Sequence, residues 1–125
     1  MKKISSFGKW ILVLFFFMSS SQAFAVITAG TSNTAVGDGA LDPDNSSVSG
    51  TSNIAIGVSA ASGISSGQDN IAIGDNALTS VDTGGFNVAI GTNALANTDS
   101  SDNNTSNNIA IGYEAGYQMT GQNNI

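Results

Sequence analysis

One five-residue phrase constrains this chain more than anything else in it. Asn70-Ile-Ala-Ile-Gly74 recurs letter for letter at residues 53–57 and 108–112, and in altered form at residues 33–37 (NTAVG) and 87–91 (NVAIG). The leading asparagines Asn33, Asn53, Asn70, Asn87 and Asn108 are separated by 20, 17, 17 and 21 residues, and Asn124 follows 16 residues later. Self-similarity at a fixed short period is the signature of an architecture stacked from one small unit. A single unit cannot bury its own apolar strip, but a stack can, each turn covering the next.

The unit extends past the glycine. After two intervening residues comes an alanine, Ala40, Ala60, Ala77, Ala94 or Ala115, followed in three units by Leu41, Leu78 or Leu95. The consensus is N-[ITV]-A-[IV]-G-x-x-A-L and then a polar loop of variable length. Ile71-Ala72-Ile73 alternates large, small, large. Strand side chains alternate faces with period two, so the isoleucines share one face and the alanine takes the other. Both faces are apolar, which predicts a strand buried on both sides. On this reading the large residues fill the coil. The alanine column (Ala35, Ala55, Ala72, Ala89, Ala110) then lines the opposite face, where another backbone packs closely. No segment carries a helical period over several turns, so no helix longer than one turn is expected from Val26 onward. Any helix should fall within Ile4 to Phe17.

Glycine closes each strand. Gly37, Gly57, Gly74, Gly91 and Gly112 stand where the chain must turn, and a positive φ is cheap only for glycine. The pairs after them, such as Asp38-Gly39, Asp75-Asn76 and Thr92-Asn93, are turn chemistry. Gly74→Val should therefore be far more damaging than Ser80→Val, which falls in a tolerant part of the coil. Length differences collect in the loops, as at Asp42-Pro43-Asp44-Asn45 and Asp99-Ser100-Ser101-Asp102. The expected fold is all-β, a parallel β-roll or β-solenoid of five to six short-strand coils, a rod roughly 25 to 30 Å long at about 4.8 Å per coil. Stacking sets the asparagines above one another, where their amides can hydrogen-bond as a ladder.

The opening segment, Met1 to Ala25, reads differently. Lys2, Lys3 and Lys9 supply a positive start, Trp10 to Met18 (WILVLFFFM) is apolar, and Ala23-Phe24-Ala25 has the small-x-small pattern of a cleavage site. This is a secretory signal peptide, too short to cross a bilayer. The domain division is thus 1–25, signal, and 26–125, repeat domain. All three basic residues lie in the signal, and all nine acids lie beyond it. The mature chain carries no Lys, Arg or His, which leaves nothing to neutralise phosphates or anionic lipid. Neither nucleic-acid binding nor direct membrane insertion of the mature segment is expected. No cysteine is present to staple an exported domain, and after the signal only Phe86, Tyr113 and Tyr117 are aromatic. Such a composition alone would suit disorder. The regular placing of Ile and Val argues against it.

The repeat resembles the head of YadA-like trimeric autotransporter adhesins. The likeness falls on Ile54-Ala55-Ile56-Gly57, Ile71-Ala72-Ile73-Gly74, Val88-Ala89-Ile90-Gly91 and Ile109-Ala110-Ile111-Gly112, and more weakly on the copy at Asn33. It covers most of the chain from Asn33 onward. The resemblance implies a left-handed parallel β-roll and a homotrimer around one axis. It implies an exported head at the surface of a Gram-negative bacterium, attaching to host matrix or to other surfaces. Repeats of this kind also occur in phage and other fibre proteins, so a structural shaft or spacer is the alternative. Family repeats are commonly a little shorter than these. No heptad stalk and no run of amphipathic anchor strands is legible here. The chain stops just inside a new unit, at Asn124-Ile125, as a fragment of a longer protein would.

Catalysis is not expected. The inventory of base, nucleophile and oxyanion clamp that His, Cys, Lys and Arg supply is missing after the signal. Asp42 and Asp44, flanking Pro43, read as solvated loop acids rather than a glycosidase pair. No cofactor is implied. Metal binding is not expected either: Asp38 and Asp75 follow their glycines, but Val58, Thr92 and Tyr113 replace them in the other units, and no G-G-x-G-x-D repeat is present. An ice-binding row of threonines is absent, because Thr34 is followed by Ile54, Ile71, Val88 and Ile109.

Overall fold

The computed structural model describes residues 25–28, 32–41, 48–98 and 105–125. Six short strands follow in chain order: β1 (Ala25–Thr28), β2 (Asn33–Val36), β3 (Ile54–Ile56), β4 (Ile71–Ile73), β5 (Val88–Ile90) and β6 (Ile109–Ile111). They form one sheet in sequence order. β2 to β6 pair in parallel, whereas β1 pairs antiparallel with β2 and covers its outer edge, with Ala25 opposite Val36 and Thr28 opposite Asn33. No helix occurs among the described residues. The described residues form the expected all-β solenoid, five parallel strands making about four full turns. Asn124 docks onto Asn108 and begins a further rung. Residues 1–24, which hold nearly all of the expected signal and the whole of the expected helical stretch, lie outside the described residues, as do 42–47 and 99–104.

Register is in phase with the repeat. Ala35, Ala55, Ala72, Ala89 and Ala110 stack one above another, as do the residues on either side of them. The expected facing is reversed. Ala55, Ala72 and Ala89 are wholly buried inside the coil, while Ile54, Ile56, Ile73, Ile109 and Ile111 are exposed on its outer wall. The reason is the thinness of the cross-section. Leu41, Leu78 and Leu95 enter the interior from beyond the turn, with Ile64 and Val81 from the returning segment. That volume leaves room on the strand wall only for a methyl group, at the packing density of protein interiors.

The backbone curls this tightly through residues with positive φ. Gly74 has φ +126°, and a Cβ placed there would meet the carbonyl carbon of Gly91 at 2.6 Å, so glycine is required by conformation and by the next coil alike. Three further positions per unit use the left-handed region, mostly without glycine. Asn76 and Asn93 occupy the second residue after the turn glycine, and Leu78 and Leu95 the fourth. The residue before each ladder asparagine does the same, as at Ser52, Asp69, Phe86 and Asn107. Asn and Asp tolerate this conformation; Leu78 and Leu95 adopt it at a cost that their burial must offset.

Candidate interaction surface

Three features run the length of the coil, and each has a different chemistry. The first is the asparagine column, which is buried throughout at Asn33, Asn53, Asn70, Asn87 and Asn108. The Asn70 Nδ2 donates to Asn53 Oδ1 at 3.0 Å and to the Gly84 carbonyl at 2.9 Å. Its Oδ1 accepts from both the Asn87 backbone N–H and the Asn87 Nδ2, at 3.0 and 2.9 Å. A primary amide offers two donors and two acceptor lone pairs, so this side chain is fully satisfied. Asn53 repeats the pattern with Asn33, Gly67 and Asn70. Buried, saturated amides are structural ties, not ligands for an outside partner. The column fastens each strand's start to the end of its own coil and to the coil before it.

The second feature is the outer strand wall. Thr34, Ile54, Ile71, Val88 and Ile109 stand in one row, and Val36, Ile56, Ile73, Ile90 and Ile111 in the next, paired in register. No charged residue interrupts either row. Apart from Thr34 the two rows are aliphatic, and they make an apolar ribbon roughly 19 Å long at about 4.8 Å per step. Residues such as Ile56 at 39 % and Ile111 at 67 % exposure lie open on it. An exposed apolar patch of this continuity marks an interaction site. Sequence reasoning chose the alanines for this role. The available signal was their invariance from unit to unit beside flanking positions that drift through Thr, Ile and Val. Constant size belongs to a tightly enclosed position, and variable size to an open one.

The third feature is a polar groove beyond the turn, of about 440 Å³, between Asn76, Thr79, Asn93, Asn97 and Tyr117. The acids do not converge on it. Asp75 Oδ1 accepts from the Val58 N–H at 2.9 Å, and the Asp82 carboxylate accepts from the Ser65 hydroxyl, each fastening one coil to its neighbour. Tyr113 and Glu114 sit together at the exposed end, where the hydrogen bond to Glu114, and then its charge, raise the Tyr113 phenol above its ordinary value. No group of three His, Cys, Asp or Glu could hold a metal ion among the described residues, and no helix there is long and apolar enough to cross a membrane. Asp42 and Asp44 lie outside the described residues.

No protein-family model matches this chain, and neither does any curated protein or any solved structure. The likeness to adhesin heads accordingly rests on the repeat motif, and the fold stands on its own geometry.

Proposed function

We propose that the chain is the head module of an exported, trimeric, non-catalytic adhesin displayed at a Gram-negative surface and attaching to host or other surfaces. The observation that carries this reading is the apolar ribbon. Its two rows stack in register from coil to coil, so a surface that matches their pitch is the same ribbon on another copy. Three copies side by side around one axis would place the ribbons inward and remove them from water. The spread acids, with no basic partner in the mature chain, would remain on the outer walls and keep the rod soluble. The repeat motif and the signal-like opening segment support the same reading.

The subunit contact belongs to the isoleucine rows and not to the alanine column. Ala72→Glu therefore disrupts the coil interior itself, whereas Ile73→Glu tests assembly. Sedimentation should give a trimer for the purified chain and a folded monomer for Ile73→Glu, because the variant buries an unpaired carboxylate at a cost of several kcal/mol. A monomeric wild type would overturn the trimer. A trimer that confers no attachment to matrix-coated surfaces when displayed on cells would replace the adhesin with a structural shaft.

A further inference from the structure

The polar groove is lined by two columns of equivalent positions on successive coils, Ser59, Asn76 and Asn93 in one and Ser62, Thr79, Ala96 and Tyr117 in the other, with Asn97 beside them. Asn76 and Asn93 each stand just beyond a turn glycine, whereas the ribbon residues lie before it. No ribbon residue lines the groove, so the two surfaces are built from different side chains. Its floor is fixed by the stack: the Asn76 N–H donates to the Val58 carbonyl and the Asn93 N–H to the Asp75 carbonyl, both at 2.9 Å, and the Asn97 N–H to the Tyr117 carbonyl at 3.0 Å. The side-chain amides of Asn76, Asn93 and Asn97 make no hydrogen bond to the described residues. Each offers two donors and an acceptor to whatever enters. The Thr79 hydroxyl donates to the Ala96 carbonyl at 2.7 Å, which leaves its lone pairs free to accept. Tyr117 stands at one end, 40 % exposed, with an apolar ring and a polar tip.

No lining residue carries a charged side chain. An anionic ligand would find no counter-charge, and the acids elsewhere on the rod would repel it. A purely apolar ligand would strand the amides unpaired. The matching class is a neutral molecule dense in hydroxyls, with an apolar ring face for Tyr117 and a repeat along its length. We propose that this groove binds a neutral oligosaccharide, its sugar units laid along the coil axis, their hydroxyls on the amides of Asn76, Asn93 and Asn97 and one ring face on Tyr117. The coil step of about 4.8 Å separates Asn76 from Asn93, a spacing comparable to that of linked pyranose rings, and Asn97 adds a second amide on the same coil as Asn93. The proposal concerns the rod alone and holds whether or not the rod is displayed on a cell.

The test is a titration of the purified, isotope-labelled chain with cellotetraose and chitotetraose, followed through the asparagine side-chain amide resonances. Binding of at least one should move Asn76, Asn93 and Asn97 together. Tyr117→Ala and Asn93→Gly should each weaken it roughly tenfold or more. Glycine keeps the positive φ of Asn93 and removes only the amide, so thermal unfolding serves as the check that the coil is intact. Phe86→Asn, at an exposed aromatic outside the groove, should bind as the wild type does. Absence of shifts with both sugars, shifts that survive Tyr117→Ala and Asn93→Gly in folded protein, or an equal response to an anionic heparin tetrasaccharide would each overturn the assignment.

Discussion

The middle coils and the last coil share one sequence pattern but differ in surroundings. Ala55, Ala72 and Ala89 are wholly buried, whereas Ala110 is 6 % exposed, and Ile73 at 36 % exposure corresponds to Ile111 at 67 %. A Cβ on Gly74 would collide with the Gly91 backbone, while on Gly112 the nearest such atom is the Ala115 Cβ at 3.9 Å. Both glycines have nearly the same φ. A residue here is thus constrained twice, by its own coil and by the coil stacked on it, and at Gly112 no described residue supplies the second constraint. Paired substitutions separate the two contributions.

The largest difference should come from the glycines. Gly74→Ala and Gly112→Ala impose the same backbone strain, about 1–3 kcal/mol. Only Gly74→Ala also forces neighbouring backbone apart, so its loss should exceed that of Gly112→Ala by about 2 kcal/mol or more in denaturant unfolding. Equal losses would mean that the coils separate easily at that turn. Next come the amides. Asn70→Ala removes four hydrogen bonds and takes their side-chain partner from the Asn87 N–H and the Gly84 carbonyl, for an expected loss of about 3 kcal/mol. Asn124→Ala, on the open rung, should cost about 1 kcal/mol. Native-state hydrogen exchange of the Asn87 and Asn108 amides would report the same asymmetry.

Thr98 sharpens the comparison within the interior. It follows Ile64 and Val81 in the returning segment, yet its buried hydroxyl has no hydrogen-bond partner among the described residues. Thr98→Val should raise stability by about 1 kcal/mol, seen as a higher Tm. The smallest effect belongs to the exposed end. Glu114→Gln removes the neighbouring charge, so the Tyr113 phenol should ionise at lower pH in the variant than in the wild type, measured by absorbance titration. An unchanged titration curve would separate Tyr113 from Glu114.

The strands, the turn glycines and the common register were legible in the sequence because each depends on local spacing. NIAIG gives a period of two, a stop and a repeat distance. The sign of the alternation was not legible, because it depends on how wide the coil is. Nothing in Ile71-Ala72-Ile73 says how far Leu78 and Val81 reach across from the other walls. Leu78 and Leu95 at positive φ were equally hidden, since leucine does not advertise that conformation. The ribbon was legible as residues and misplaced as a face. The groove was not foreseen at all, because its residues come from loop positions that carry no pattern within one unit.

The ladder has a kinetic consequence. Each of its rungs ties together residues 16 to 21 apart in the chain, and the β1–β2 pairing spans still shorter distances. Every strand pairing joins neighbours in sequence, so the entropy of closing a loop is the same modest quantity for each added turn. Folding can start at any coil and zip outward, with each finished turn offering the template for the next. A duplicate of the coil that runs from Asn53 to Asp69 would lengthen the rod without creating any contact of longer range. The molecule can therefore change its reach by whole turns while its folding problem stays the same size.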